Sequence, residues 1–99
     1  MPQSLYKLRV PDAAAKLIRG LHPQLKRKCK ASLRRILEEP AVGKALHAEL
    51  EGLWSYPVGR FRIVYRFSRN PRIVELVAMG SRERIYEETL RLVRREQDN

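Results

Sequence analysis

The chain has 99 residues and carries 21 Lys and Arg against 11 Asp and Glu, which gives a formal net charge of +10. This length suits one small globular domain with a single core, and we expect residues 1–99 to form that domain. So large a positive charge calls for an anionic partner, so nucleic acid, an acidic protein and an anionic membrane surface are the classes to separate.

The composition also limits which cellular compartment and which kinds of site we expect. No stretch approaches the roughly 20 apolar residues of a membrane span. The first ten residues have neither the apolar run nor the cleavage site of a secretory signal, so we expect a cytoplasmic protein with no membrane partner. Cys29 is the only cysteine, and His22 and His47 lack ligand-spaced acidic neighbours. We therefore expect no disulfide, no metal site and no cofactor.

The first part of the chain predicts a strand and two helices. Leu5 to Val10 alternates apolar and polar side chains, as a half-buried strand does. Asp12 is a suitable N-cap for a short helix through Arg19, which Gly20 closes. A longer helix is expected from about Pro23 to Glu39. Two helices joined by so short a link predict a helical hairpin on one face of a sheet.

The next part predicts paired strands. Pro40 to Ala48 is expected to be a loop or a further helical turn. After Gly52 the apolar period changes to two, which indicates a strand from Phe61 to Phe67 with one buried face and one working face. The turn Ser68–Pro71 leads into a partner strand from Ile73 to Met79.

The chain is expected to end in a helix. Gly80 breaks the last strand, and Ser81 is a candidate N-cap for a helix that runs towards Arg95. The expected fold class is therefore α+β, with an N-terminal strand, a helical hairpin, an antiparallel sheet of about four strands and a C-terminal helix.

Arginine dominates the paired strands. No carboxylate occurs between Leu53 and Val74, whereas five arginines do: Arg60, Arg62, Arg66, Arg69 and Arg72. The planar guanidinium grips two phosphate oxygens and stays charged at any working pH. These strands therefore predict a phosphate-binding surface.

Two short motifs resemble a known family. Gly59–Tyr65, GRFRIVY, is similar to the G-x-(F/Y)-R-(I/V)-x-Y strand of the RelE/ParE superfamily of bacterial toxins, and Gly80–Tyr86, GSRERIY, to its G-x-R-x-x-x-Y close. Leu50–Trp54 resembles the family's lead-in to the hairpin, and the element order agrees over nearly the whole chain. The resemblance implies a small basic RelE/ParE-like toxin of a type II toxin–antitoxin system, which a cognate antitoxin wraps and silences.

The resemblance implies one of two activities. One branch of the superfamily enters the ribosomal A site and cleaves messenger RNA without a metal, and another poisons DNA gyrase without cleaving RNA. By resemblance to the first branch, Arg62 holds the scissile phosphate, Arg82 is the arginine after the last strand, and Tyr86 supplies an aromatic hydroxyl. That branch carries lysines on the strand before the hairpin, whereas Trp54–Val58, WSYPV, has none. A gyrase inhibitor therefore stands as the alternative to a ribosome-dependent endoribonuclease.

Arg62 and Arg82 are expected to converge on one phosphate in a shallow hollow. If the last helix begins at Ser81, Arg82 and Tyr86 share one helical face because they are four residues apart. Tyr86 is then a candidate base or a stacking platform, and the alternative is a ring packed under the helix with its hydroxyl in water. Tyr56 is a second candidate for the base.

Other residues are weaker candidates. His47 is a minor candidate for a proton donor, and Ser55 and Ser81 lack the context of a nucleophile. The hairpin arginines Arg60 and Arg66 are candidates for RNA contact, with a solvated or antitoxin-facing surface as the alternative. The candidates for RNA contact on the second helix are Lys26, Lys30 and Arg34.

Overall fold

The computed structural model of the chain describes residues 5–98. In chain order its elements are β1 Lys7–Arg9, α1 Asp12–Arg19, α2 Pro23–Glu38, β2 Lys44–Ala45, β3 Trp54–Val58, β4 Phe61–Arg69, β5 Arg72–Ser81 and α3 Ile85–Asp98. Short 3-10 turns, Pro40–Val42 and Ala48–Leu50, flank β2. The limits expected for the domain, residues 1 and 99, lie outside the described residues. None of the helices in residues 5–98 is long and apolar enough to cross a membrane.

The five strands form one sheet in the order β1-β5-β4-β3-β2. The expected α+β class is confirmed, with its N-terminal strand, helical hairpin and C-terminal helix. The sheet differs from the expectation in two respects. β1 pairs with β5 in parallel, whereas the other pairs are antiparallel. Residues expected to form a loop contribute β2, an edge strand whose two residues are too few for a period of two to appear in the sequence.

Both faces of the sheet are covered, and this decides where a site can lie. The first face packs against α1 and α2, whose buried residues include Ala14, Cys29, Leu33 and Ile36. The second face packs against α3, where Ile85 contacts a smaller core with Val64 and Ala78. The expectation that β4 has one buried face and one accessible face is therefore wrong at Val64, which is buried under α3. Only the ends of that second face remain accessible.

The helix starts differ from the expected ones. Ser81 is not an N-cap but the last residue of β5, and a turn at residues 82–84 precedes α3. The N–H of Arg84 donates to the carbonyl of Ser81 across that turn at 3.1 Å. Asp12 is the first residue of α1 instead of its cap. His22 caps α2, because its Nδ1 accepts the N–H of Gln24 at 3.3 Å.

Tyr65 fixes the segment that leads into β2. Its hydroxyl donates to the carbonyl of Pro40 at 2.6 Å and accepts the N–H of Gly43 at 3.2 Å. Burial raises the pKa of Tyr65 to about 12, although the hydrogen bond from Gly43 acts in the opposite direction. A Cβ at Gly43 would lie against the Tyr65 hydroxyl and 2.7 Å from the carbonyl oxygen of Ser55. Only glycine allows this close approach, which places β2 against β3.

Candidate phosphate-binding site

A hydrogen-bonded network joins three elements on the α3 side of the sheet. Nη1 of Arg62, on β4, donates to Oγ of Ser55, on β3, at 3.0 Å. Oγ of Ser55 lies 3.2 Å from the hydroxyl of Tyr86, on α3, and either atom can be the donor. Two of the residues expected at the site, Arg62 and Tyr86, are therefore brought together, and Ser55 connects them.

Strand register explains why Ser55 meets Arg62. Ser55 is opposite Val64, and Arg62 is opposite Pro57, so the two polar residues are diagonal neighbours on one face. Diagonal neighbours in an antiparallel pair are within reach of long side chains. Ser55 is fully buried, whereas Arg62 is half-buried, so the guanidinium extends from a buried hydroxyl towards solvent.

Gly80 explains why Tyr86 meets Ser55. Gly80 is opposite Arg62 on β5. A Cβ there would lie 3.3 Å from Cδ1 of Ile85 and 2.9 Å from Oε2 of Glu88. The missing side chain lets the first turns of α3 approach the sheet closely, and Tyr86 then reaches β3. The hydroxyl of Tyr86 is not simply in water, because it bonds to Ser55, although the residue is 36% exposed.

The network orients charge and protons. Ser55 Oγ accepts an N–H of Arg62, so the hydroxyl hydrogen of Ser55 is free to be donated to the oxygen of Tyr86. The Ser55 hydroxyl therefore restrains the guanidinium of Arg62 through one bond and the phenol of Tyr86 through the other. Sequence reasoning considered Ser55 only as a nucleophile and missed this connecting role. The indication available in the sequence was that Ser55 is a small polar residue between two aromatic residues, Trp54 and Tyr56.

The backbones of Arg60 and Arg82 pair next to the strand positions of this network, but among the described residues neither side chain is bonded to it or lines its hollows. The N–H of Arg82 donates to the carbonyl of Arg60 at 3.0 Å, one residue pair beyond Phe61 and Ser81. Arg82 follows Gly80, the partner of Arg62, by two residues, so Arg82 and Arg62 are diagonal neighbours. Such neighbours are roughly 7–8 Å apart, which long side chains can span. In the described part of the chain, none of Arg60, Arg62 and Arg82 forms an ion pair with a carboxylate. Arg82 precedes α3, so it does not share a helical face with Tyr86 as expected.

The network borders two open hollows. Arg62 and Ser55 line one of about 490 Å³, whose other walls are Val42, Gly43, Lys44, Tyr56 and Pro57. Tyr86 lines a second hollow of about 350 Å³ together with His47. The two weaker candidates, Tyr56 and His47, are therefore both near the network but on different sides of it.

The five strand arginines do not form one surface. Arg66 binds Glu75 at 2.6 Å and Glu96 at 3.6 Å. Partial burial lowers the pKa of the Arg66 guanidinium, but the two carboxylates outweigh it and the net pKa is raised. Arg69 and Arg72 lie at the hairpin end, 5.4 Å from the ring centre of Phe67 and 5.7 Å from that of Tyr6, respectively. Only Arg60 and Arg62 remain at the α3 end.

The basic residues of α2 lie across the sheet from the network. α2 packs on the first face, so Lys26, Lys30 and Arg34 belong to a helix on the other side of the sheet from Ser55 and Tyr86. Arg34 also pairs with Glu38 at 3.0 Å on the exposed side of α2. Within residues 5–98, no group of three or more His, Cys, Asp or Glu side chains could hold a metal ion.

Comparison with solved structures places this fold among toxins. The RelBE toxin–antitoxin complex from Mycobacterium tuberculosis is 26% identical, with a TM-score of 0.68 over 80% of this chain and 100% of that chain. A mutant of the E. coli toxin RelE in the free state is 22% identical, with a TM-score of 0.72 over 89% and 97%. The archaeal RelE–RelB complex from Pyrococcus horikoshii is 19% identical, with a TM-score of 0.65 over 82% and 99%.

Sequence comparison identifies the family. No curated protein matches the chain. A family model of ParE-like toxins matches residues 8–90, which run from β1 into α3 and include both motifs that suggested the resemblance. The resemblance to RelE/ParE toxins is thereby confirmed, and the chain belongs to the family of ParE-like toxins of type II bacterial toxin–antitoxin systems.

Proposed function

We propose that this toxin is a ribosome-dependent, metal-independent endoribonuclease that cleaves messenger RNA in the ribosomal A site and thereby inhibits translation in the cytoplasm. One observation carries the proposal: Arg62, Ser55 and Tyr86 form a hydrogen-bonded network at the rim of an open hollow of about 490 Å³. A toxin that only binds another protein needs no buried serine to orient an arginine.

The chemistry is an in-line transesterification. The 2′-oxygen attacks phosphorus while the bond from phosphorus to the 5′-oxygen breaks, which leaves a cyclic phosphate and a 5′-hydroxyl. The 2′-hydroxyl loses one proton and the 5′-oxygen gains one, so the net proton count is unchanged. Arg62 and Arg82 clamp the phosphate and stabilise its growing negative charge. Tyr86 assists at the ribose, where its phenol oxygen hydrogen-bonds the 2′-hydroxyl.

Preorganisation is the contribution of Ser55. A guanidinium that already donates to a buried hydroxyl loses less side-chain freedom when it binds phosphate. The bond from Arg62 to the phosphate strengthens as negative charge develops on the phosphate oxygens. A guanidinium fixed in position therefore stabilises the transition state more than the bound substrate.

The proposal includes a cognate antitoxin as the partner that silences the toxin. The net charge of +10 supports an acidic antitoxin segment, because charge complementarity speeds association and neutralises self-repulsion. The M. tuberculosis and P. horikoshii structures are complexes of a toxin with its antitoxin.

Cleavage of messenger RNA on programmed ribosomes tests the proposal. The purified toxin should cut the message in the A site, and Arg62→Ala and Arg82→Ala should each slow single-turnover cleavage roughly 100-fold or more. Arg19→Ala is the matched control, since it removes the same charge from α1 on the first face. Intact messenger RNA in the presence of correctly folded wild-type toxin would refute the nuclease.

A ParE-like inhibitor of DNA gyrase without nuclease activity is the second candidate. It is favoured by the absence of lysine from β3, WSYPV, where RelE-like nucleases carry theirs. A supercoiling assay with purified gyrase separates the two candidates. Inhibited supercoiling together with uncut messenger RNA would establish the binding module in place of the enzyme.

A further inference from the structure

A lysine from an unexpected strand lies at the Arg62 hollow. Lys44, on β2, is directly opposite Ser55, the residue that holds Arg62. Directly opposite residues project from the same face of a sheet with Cβ atoms roughly 4.5–5.5 Å apart. Lys44, Ser55 and Arg62 accordingly line the same hollow of about 490 Å³.

The side chain of Lys44 is available to a ligand. It is exposed, and in the described part of the chain it forms no ion pair. Its backbone is nevertheless fixed, because the preceding segment is bound to the Tyr65 hydroxyl through Pro40 and Gly43. An exposed ammonium on a fixed strand can bind a phosphate at the rim without a change in the fold.

The chemistry of the hollow favours a further positive charge beside Arg62. Phosphorus gains a fifth oxygen during transesterification, and negative charge accumulates on the non-bridging oxygens. β3 supplies no cation to this wall of the hollow, and Lys44 is the only lysine after Lys30.

We propose that Lys44 is a further phosphate-contacting cation, which acts from the Arg62 hollow in addition to Arg62 and Arg82. Its ammonium binds a non-bridging oxygen of the phosphate that Arg62 holds, so an edge strand supplies the positive charge that β3 lacks. The catalytic consequence rests on the proposed ribonuclease, whereas the phosphate contact can be measured without cleavage.

The experiment compares wild type, Lys44→Gln, Lys44→Arg and the control Lys16→Gln, which removes one charge from α1. Single-turnover cleavage on programmed ribosomes should slow roughly 10- to 100-fold in Lys44→Gln, the range expected when a charged hydrogen bond is removed. Lys44→Arg should keep most of the rate because it keeps the charge, and Lys16→Gln should match wild type.

A binding measurement makes the two proposals separable. The probe is a fully 2′-O-methylated RNA trinucleotide, which has phosphates but no 2′-hydroxyl to attack them. Its titration should shift the NMR resonance of the Lys44 ε-methylene, and Lys44→Gln should weaken its binding several-fold.

Each outcome decides one proposal or both. Wild-type cleavage by Lys44→Gln, without a resonance shift, overturns the role of Lys44 and leaves the ribonuclease in place. A resonance shift and weakened binding in a toxin that does not cleave supports the contact and overturns the ribonuclease. If the wild-type toxin neither cleaves nor shows the resonance shift, the ribonuclease and the role of Lys44 are both overturned. A Lys44→Arg variant as slow as Lys44→Gln overturns a role based on charge.

Discussion

Ser55 is the residue on which the geometry of the candidate site depends. It is fully buried, yet its hydroxyl is bonded to two functional groups from different elements. Removing that oxygen would leave Arg62 and Tyr86 in the chain but no longer held to each other. A variant at Ser55 therefore tests the orientation of Arg62 and Tyr86 without removing either side chain.

Replacing Ser55 with Ala should reduce activity more than stability. We expect cleavage to slow about tenfold, because Arg62 loses the bond that restrains it, and the free energy of unfolding to fall by only about 1 kcal/mol. Single-turnover kinetics and urea unfolding measure the two effects. Ser32→Ala, on α2 across the sheet, is the control and should leave the rate unchanged. An unaltered rate in Ser55→Ala would show that Arg62 needs no restraint.

Replacing Tyr86 with Phe asks whether its hydroxyl or its ring matters. The ring can still cover Ser55 in the variant, but the bond at 3.2 Å is removed. We expect single-turnover cleavage to fall at least tenfold while the fold persists, because hydrogen bonding to the ribose needs the oxygen. Tyr6→Phe, at the hairpin end, is the matched control. Full activity in Tyr86→Phe would reduce Tyr86 to a stacking or packing residue.

At the scale of elements, the segment from Pro40 to Gly43 positions β2 and hence one wall of the hollow. Gly43→Ala tests that role, because the added methyl would meet the Tyr65 hydroxyl and the carbonyl of Ser55. Such overpacking should lower the free energy of unfolding by about 1–3 kcal/mol. The matched control is Gly20→Ala, where the nearest atoms are 3.7 Å away and φ is −84°, so stability should be unchanged or rise by up to about 1 kcal/mol. Urea unfolding that ranks the two variants equally would contradict the tight approach.

Tyr65 should also give this segment a dependence on alkaline pH. Its pKa is about 12 in the folded chain and about 10 when exposed. The raised pKa means that its contribution is complete below about pH 10 and is lost as pH rises towards 12, by roughly 2–3 kcal/mol at most. Urea unfolding of wild type and Tyr65→Phe at pH 8, 10 and 11.5 isolates this contribution. The stability difference between them should shrink with pH, and a constant difference would exclude Tyr65 as the titrating group.

Long elements could be predicted from the sequence, and short ones could not. β4 and β5 have nine and ten residues, enough for a period of two to be visible. β2 has two residues and owes its pairing to Tyr65 and Gly43, which are tertiary contacts. The start of α3 was misplaced for a similar reason, because Ser81 reads as a cap locally but is paired with Phe61 across the sheet.

The candidate site shows the same limit. Arg62 and Tyr86 could be named from motifs, since each lies in a continuous pattern of seven residues. Ser55 and Lys44 could not, because their roles arise from register between strands that the sequence does not specify. The resemblance also could not divide the strand arginines, whereas the carboxylates on Arg66 and the aromatic rings under Arg69 do so directly.

At the scale of the whole molecule, positive charge lies on both sides of the sheet. Arg62 and Ser55 line their hollow from the face that α3 covers, whereas α2, which carries Lys26, Lys30 and Arg34, packs on the other face. The sheet therefore separates the helix that carries the α2 residues from the helix that carries Tyr86. We expect the α2 residues to act on the binding of a long polyanion, through electrostatic forces that salt screens.

The double variant Lys26→Gln, Lys30→Gln tests this division of roles. We expect weaker binding of RNA, with the slope of log affinity against log salt reduced by about 0.7 for each phosphate that is no longer neutralised, and an unchanged single-turnover rate once the complex is saturated. The control is Lys16→Gln, Arg19→Gln on α1, which removes the same net charge and should alter the slope less. Arg62→Ala should do the reverse and lower the saturated rate. If the α2 variant lowered the saturated rate as well, RNA would have to reach both sides of the sheet at once, and the assignment of chemistry to the α3 side alone would be wrong.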